Sequence, residues 1–290
     1  MNKRLIYLFI LLIILKVIFS TFITFPLGFS DSLTYQESAK TFFDTLSILQ
    51  MSETKYPLLY SILISPAFFF DDMNTVLFVI KIINSILSSL IIFPVYLLSK
   101  EFFNKNKSFL IAAMSAFIPP FFIFTFTSMS ENLFYPLFLF AVYSIYKAFK
   151  ENTLKWNIFS GILIGLCFLT KILGIILIPI IIILISLNIK QLKQKIYLLI
   201  TSFVIYLIWI IPRLINSGFN FIQATGYQSS LEKASSILNF STKFIWFFLY
   251  LDYLILACGI IFFFLAIFLI YKYKSLKDNE KLLIQITLLS

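Results

Sequence analysis

Predominantly apolar stretches of about 20 residues recur along this 290-residue chain, and short lysine-rich clusters separate them. An α-helix of that length covers roughly 30 Å, the depth of a bilayer's hydrocarbon core. Inside hydrocarbon each backbone N–H and C=O must be satisfied within the protein, so runs of this kind fold as helices. Composition agrees: 60% of the residues are hydrophobic, 37 are Phe, and the mean hydropathy is +0.98. No polar stretch is long enough for a separate soluble domain. The fold class is an all-α polytopic membrane protein.

We place spans at 5–25, 74–98, 108–127, 132–149, 157–170, 172–188, 196–214 and 244–271. No small-residue cleavage site follows the first run, so it reads as a retained span rather than a signal peptide. Residues 157–188 are apolar apart from Lys171, yet a single helix of that length would reach roughly 48 Å, too long for one crossing. Two short helices with Lys171 at their shared tip remove the excess. Residues 57–70 are too few to cross and read as a helix lying partly in the interface. Pro119-Pro120 ends or kinks the third span. A further apolar run, "KLLIQITLLS", begins at about residue 282. The expected organisation is therefore a single transmembrane domain, 1–290, incomplete at its C-terminus.

Lysine position orients these spans. The clusters Lys3/Arg4, Lys100/Lys105/Lys107, Lys147/Lys150/Lys155, Lys190/Lys193/Lys195 and Lys272/Lys274/Lys277/Lys281 share one side and hold most of the 23 cations. By the positive-inside rule that side, with the N-terminus, is cytoplasmic. The net charge of +10 is thus a topology signal, and no nucleic-acid partner is expected. Lys40, Lys55, Lys171, Arg213, Lys233 and Lys243 fall on the other side, with most of the acids, including Asp31 and Glu131. Chemistry is expected there. The chain has no His, which excludes His-based catalysis and His–metal sites; Cys167 and Cys258 lie within spans and imply no disulfide.

After the first span, "FSDSLTYQESAKTFF" (Phe29 to Phe43) puts Tyr35, Ala39, Phe42, Phe43, Leu46 and Leu49 at helical spacing. Gln36, Glu37, Lys40, Thr41 and Asp44 take the opposite face, as in an amphipathic helix lying on a membrane. Asp31 stands at its start, where a carboxylate can cap free backbone N–H groups. Lys16 and Lys81 lie within spans, where charge is expensive; Lys16 must snorkel outward or find an internal partner. Gly161 and Gly165, four apart, suit close helix packing.

Asp31-x3-Tyr35-x3-Ala39-Lys40 resembles the first outer-loop signature of the GT-C glycosyltransferases, which include protein O-mannosyltransferases, lipid A aminoarabinose transferases and Rgt-type lipopolysaccharide transferases. "KYPLLYSILISPAF" (Lys55 to Phe68) is similar to that superfamily's Lys-Pro-Pro-Leu-x-Tyr segment, with Tyr56 replacing the first Pro. "SENLFYPL" (Ser130 to Leu137), "GILIGLCFLTK" (Gly161 to Lys171) and "IPRLIN" (Ile211 to Asn216) resemble later elements in the same order. Ser32 stands where many members have a second acid.

The resemblance implies a GT-C-type bundle of about eight spans and transfer of a sugar from a polyprenyl- or dolichyl-phosphate carrier to a protein, lipid or glycan acceptor. The setting it implies is a cell membrane, with the site on the extracytoplasmic face. It implies Asp31 as the general base, inversion at the anomeric carbon, and Lys55, Lys171 and Arg213 as holders of the donor phosphate. Glu131 either marks the helix start, orders the acceptor or binds a metal with Asp31; a divalent cation stays open and no other cofactor is expected. Tyr35, Tyr56 and Tyr60 are candidates to line a sugar or prenyl groove. Two rival readings keep the fold without the chemistry: a lipid-linked sugar translocase, and an accessory subunit.

Overall fold

The computed structural model describes residues 3–23, 30–51, 56–187 and 191–219. Lys55, Cys258, the expected span at 244–271 and the run from about 282 lie outside the described residues. Those described form helices and connections, with no strand among them. In order they are α1 (Lys3–Phe22), α2 (Ser30–Thr45), α3 (Ile48–Met51), α4 (Leu59–Ile64), α5 (Met73–Ser89), α6 (Ile92–Lys100), α7 (Lys105–Ser115), α8 (Pro119–Ile123), α9 (Glu131–Glu151), α10 (Leu154–Thr170), α11 (Leu177–Leu187) and α12 (Leu192–Asn216). Short 3-10 turns follow α4, α8 and α10.

Local chemistry sets the boundaries. Asp72 starts α5 by accepting from the Thr75 backbone N–H at 2.9 Å and from its hydroxyl at 2.8 Å. Asn104 starts α7 through the Lys107 N–H at 3.0 Å. Asn152 ends α9 in the left-handed conformation, φ 50°, which asparagine tolerates better than most residues. Between α7 and α8 the axis turns by 63° where Pro119 and Pro120 cannot continue the hydrogen-bond ladder.

Among the described residues three helical stretches are long and apolar enough to cross a membrane: Lys3–Phe22, Met73–Lys100 (α5 with α6) and Leu192–Asn216. The bent α7–α8 pair makes a fourth if it counts as one span. Eight spans are thus matched in part, since α10 and the segment containing α11 are apolar but shorter. The stretch 157–188 does divide: α10 stops at Thr170, Lys171 is extended (φ −153°, ψ 134°), and α11 begins after a 3-10 turn. Residues 59–69 form only a short helix and turn.

Polar groups face inward and apolar ones outward, the arrangement a lipid solvent requires. On α1 the buried residues are Leu5, Leu12, Lys16 and Ser20, whereas Ile10, Leu11, Ile14 and Ile18 are exposed. Lys16 has an internal partner: its ammonium donates to Ser88 Oγ at 2.7 Å and to the Phe121 carbonyl at 3.4 Å. Lys81 donates to the Ile23 carbonyl at 2.5 Å, just past the end of α1. Lys195 is fully buried and donates to Ala148 O, Asn152 Oδ1 and Asn157 Oδ1 at 2.6, 3.0 and 3.1 Å. Those oxygens come from the last turn of α9, its C-cap Asn152 and the first turn of α10, so the ammonium ties the two helices together where they meet.

α10 and α12 run parallel, with Gly161 beside Leu198 and Thr201, Gly165 beside Ile205, and Phe168 against Tyr206 and Trp209. A Cβ at Gly161 would overlap the Thr201 hydroxyl, and one at Gly165 would lie 2.6 Å from Ile205 Cβ. Both glycines therefore serve close packing. One consequence matters for the site: the C-terminal ends of α10 and α12, carrying Lys171 and Arg213, emerge at the same end of the bundle.

Candidate functional site

α2 is held against the bundle by more than its apolar stripe. Tyr35 and Ala39 are buried with Tyr60, Ile64, Val76, Ile80 and Leu133 in a core shared with α4, α5 and α9. Gln36, which periodicity assigned to the polar face, is also buried and donates to Ser128 Oγ at 2.8 Å. Ser61 donates to the Tyr35 carbonyl at 3.1 Å. The expected apolar stripe ends early, since α2 stops at Thr45 and Leu46 takes φ 52° with its side chain exposed. Gln36 is buried for a tertiary reason: the hydroxyls of Ser128 and Ser130, in the loop before α9, lie against α2 and make polar contacts with Gln36 and Tyr35 that a membrane surface would not.

A chain of contacts leads from this helix into the bundle. The Tyr35 hydroxyl lies 2.9 Å from Ser130 Oγ, and Ser130 donates to Glu131 Oε2 at 3.5 Å. Glu131 occupies the first turn of α9, where a carboxylate is favoured by the helix dipole. Its other oxygen, Oε1, receives the Lys171 ammonium at 2.5 Å. Lys171 reaches it because α10 has ended and the chain is extended there. Glu131 is nearly buried, whereas the Lys171 side chain keeps 27% of its surface exposed.

Asp31 lies in the first turn of α2, one helical turn before Tyr35. Burial raises the Tyr35 hydroxyl above the ordinary tyrosine range, and the charges of Glu131 and Asp31 push the same way. Both carboxylates are therefore within electrostatic reach of one phenol. The Tyr35 ring packs on Tyr56 (centroids 4.9 Å apart) and edge-on to Tyr60 (5.3 Å). Tyr60 is fully buried, its hydroxyl donated to Asn84 Oδ1 at 3.0 Å; Asn84 in turn donates to the Thr127 carbonyl at 2.8 Å.

Arg213 belongs to a neighbouring part of the same end. It is buried on α12 with its guanidinium 4.7 Å from the Trp209 ring, a favourable cation–π distance. Three residues later Asn216 donates to the Leu49 carbonyl at 2.9 Å, fastening the end of α12 to the short helix that follows α2. The structure thus joins Tyr35, Tyr56, Tyr60, Glu131 and Lys171 in one contact network, with Asp31 bearing on it and Arg213 at the same end.

Gln36, Asn84, Ser128 and Ser130 support this network, and the sequence reading assigned none of them a role. Only Ser130 carried a local signal, as the residue before Glu131 in "SENLFYPL". For a divalent cation the donor set is poor: no group of three carboxylate, Cys or His side chains comes together among the described residues, and Glu131 Oε1 is engaged by Lys171. That arrangement suits a carboxylate that holds a lysine rather than a metal ligand.

An apolar cavity of about 370 Å³ lies between α10, the turn after Lys171, α11 and α12. Phe168, Gly174, Ile178, Leu199, Phe203 and Tyr206 are among the residues that line it.

These observations define an all-helical, multi-pass membrane protein whose ionic site sits where a loop helix meets the ends of the bundle. Among known families, the model for dolichyl-phosphate-mannose-protein mannosyltransferases matches residues 57–215, more than half of the chain. The chain belongs to that family, and so to the GT-C glycosyltransferases. The matched segment contains Tyr60, Glu131, Lys171 and Arg213; Asp31, Tyr35 and Tyr56 precede it. Comparison with curated proteins and with solved structures returned no match.

Proposed function

We propose that this protein transfers a sugar from a dolichyl- or polyprenyl-phosphate carrier to an acceptor hydroxyl at the extracytoplasmic face. Family membership supports the reaction class and the donor type. The observation that carries the site is the Tyr35–Ser130–Glu131–Lys171 network, which ties the helix bearing Asp31 to a cation at the end of α10. On this reading the domain has about eight spans, with 244–271 the eighth and a further one beginning at about 282.

In the proposed step the acceptor oxygen attacks the anomeric carbon as its proton passes to the Asp31 carboxylate. The bond from that carbon to the phosphate oxygen breaks, its electron pair leaving with the carrier phosphate. One displacement inverts the carbon. A hydroxyl is a poor nucleophile, so removing its proton in the transition state is where a carboxylate contributes most. The leaving phosphate needs no acid but does need positive charge. Lys171 supplies a point charge and Arg213 a planar fork able to make two parallel bonds, with Lys55 as the third cation. Glu131 is a positioning residue that holds the Lys171 ammonium in place. Tyr56, half-buried, offers a ring to the sugar, with Tyr35 and Tyr60 packed behind it. The apolar cavity beside Phe168 and Tyr206 suits the first isoprene units of the carrier.

The test is donor binding and donor consumption by protein in lipid nanodiscs, over a panel of polyprenyl- and dolichyl-phosphate sugars. Wild type should consume one of them in the presence of acceptor. Asp31→Asn should bind the same donor and leave it intact. Full transfer by that variant removes Asp31 as the base.

A further inference from the structure

A second polar site lies at the opposite end of the bundle, where α1 begins, α6 ends and α7 begins. Arg4, Lys100 and Lys105 line a half-open cavity of about 820 Å³ between these three helices, with Phe93, Tyr96 and Leu97 forming its apolar wall. Its volume falls within the range of small-molecule sites, so it admits a whole headgroup rather than a single ion. No acidic residue lines it among the described residues. Glu101, next to Lys100, points its charge elsewhere, binding Lys147 at 2.7 Å and Lys150 at 2.8 Å. The wall is continuous with the buried cluster of Leu5, Ile91, Ile92, Tyr96, Ala112 and Ala116, so the cavity is basic at its mouth and apolar beneath.

We propose that this cavity binds an anionic phospholipid, its phosphate held by Arg4, Lys100 and Lys105 and the start of an acyl chain lying on Phe93 and Leu97. Several features select that occupant over a free anion. Arg4 and Lys100 sit at the ends of helical stretches long enough to cross a membrane, Lys105 starts α7, and the three come from separate elements around one opening. The aromatic and aliphatic wall offers a free phosphate nothing, while it removes the first methylenes of a lipid chain from the interface. The lysine distribution places this end on the cytoplasmic side, the leaflet whose surface potential is negative. Binding would clamp α1 to the α6–α7 corner, and α1 leads directly to the loop helix that carries Asp31. The site is separate from the proposed transfer chemistry and stands without it.

The experiment measures lipid retention and exchange on the intact chain. Protein is reconstituted in phosphatidylcholine nanodiscs doped with phosphatidylglycerol, and bound lipid is counted by native mass spectrometry and by titration at two salt concentrations. Wild type should retain phosphatidylglycerol over phosphatidylcholine, with retention falling as salt rises. Lys100→Ala/Lys105→Ala should weaken retention by roughly tenfold to thirtyfold, because each interfacial cation contributes about one charge–headgroup contact. Lys155→Ala, an exposed cation on the same side but away from the cavity, should leave it unchanged. Equal weakening by Lys155→Ala would reduce the effect to general surface charge and overturn the site. Displacement of the lipid by millimolar inorganic phosphate would make the ligand a free anion and overturn the lipid assignment. Absence of any phosphatidylglycerol preference would overturn both. The substituted lysines are exposed, so all three proteins should fold, which a common elution volume and melting temperature would verify.

Discussion

The two ends of α9 each meet a lysine, and the lysines are used in opposite ways. At the C-terminal end Lys195 is fully buried, and its three donors are satisfied by Ala148 O, Asn152 Oδ1 and Asn157 Oδ1, with the Phe149 ring 4.6 Å away. An ammonium has three N–H donors, so nothing is left to offer a ligand. At the N-terminal end the Lys171 side chain is 27% exposed and donates, among the described residues, to Glu131 alone. Its remaining donors can meet an incoming anion. A saturated lysine fastens helices, whereas a lysine held by one carboxylate at the rim keeps donors for the proposed phosphate.

That contrast can be broken experimentally. Lys171→Met should lower transfer by about 100-fold to 1,000-fold, the usual cost of removing one charge-stabilising donor; because it also leaves the nearly buried Glu131 carboxylate unpaired, Lys171→Met/Glu131→Gln should restore the melting temperature without restoring transfer. A large fall in stability with normal turnover per folded molecule would make Lys171 a fastener like Lys195. Lys195→Met should do the reverse, since it leaves the buried Asn157 Oδ1 without its ammonium and takes a partner from Ala148 O and Asn152 Oδ1; we expect a loss of about 2–3 kcal/mol and normal activity in what remains folded, read from thermal melts beside turnover. Gly165→Leu tests the geometry between these ends. Its side chain would collide with Ile205, costing about 1–3 kcal/mol, and would disturb transfer by separating Lys171 from Arg213. Unchanged melting and activity would show that α10 and α12 can move apart freely.

The smallest effect is expected at Glu101, on the outer surface of the C-terminal end. Burial opposes its charge, but hydrogen bonds from Lys147 and Lys150 outweigh that and hold its carboxyl below the ordinary glutamate range. A depressed carboxyl contributes stability above its unfolded value and loses it as pH falls through the lower, folded one. Glu101→Gln should therefore cost less than about 1 kcal/mol at neutral pH and nothing in strong acid, because the pair is partly solvated and screened. Melting temperatures at pH 7 and at pH 3 measure the difference; an effect that persists in acid would show a role other than the ion pair.

Much of the candidate site could be read along the chain because its signals are local. Apolar run length separates α10 from α11 at Lys171, the Pro119-Pro120 pair breaks the third segment, and four-residue glycine spacing marks the α10 face that meets α12. Asp31, Tyr35, Glu131, Lys171 and Arg213 stand out because charged and aromatic groups are conspicuous beside spans. Gln36 was hidden for the converse reason. On a helical wheel it is a solvent residue, and only the Ser128 hydroxyl, brought over from a loop 92 residues away, makes its burial tolerable.

What the sequence determined by itself was the solvent, the helical class and the places where helices start and stop, since hydropathy, caps and prolines act within a few residues. Which cation is structural and which is free to bind was decided only by the tertiary structure. Lys16 finds Ser88, Lys195 finds Asn157 and Lys171 finds Glu131 across 72, 38 and 40 residues of chain. No local pattern encodes those distances. They follow from packing, because a buried ammonium must take its partners from whichever helices the fold sets beside it.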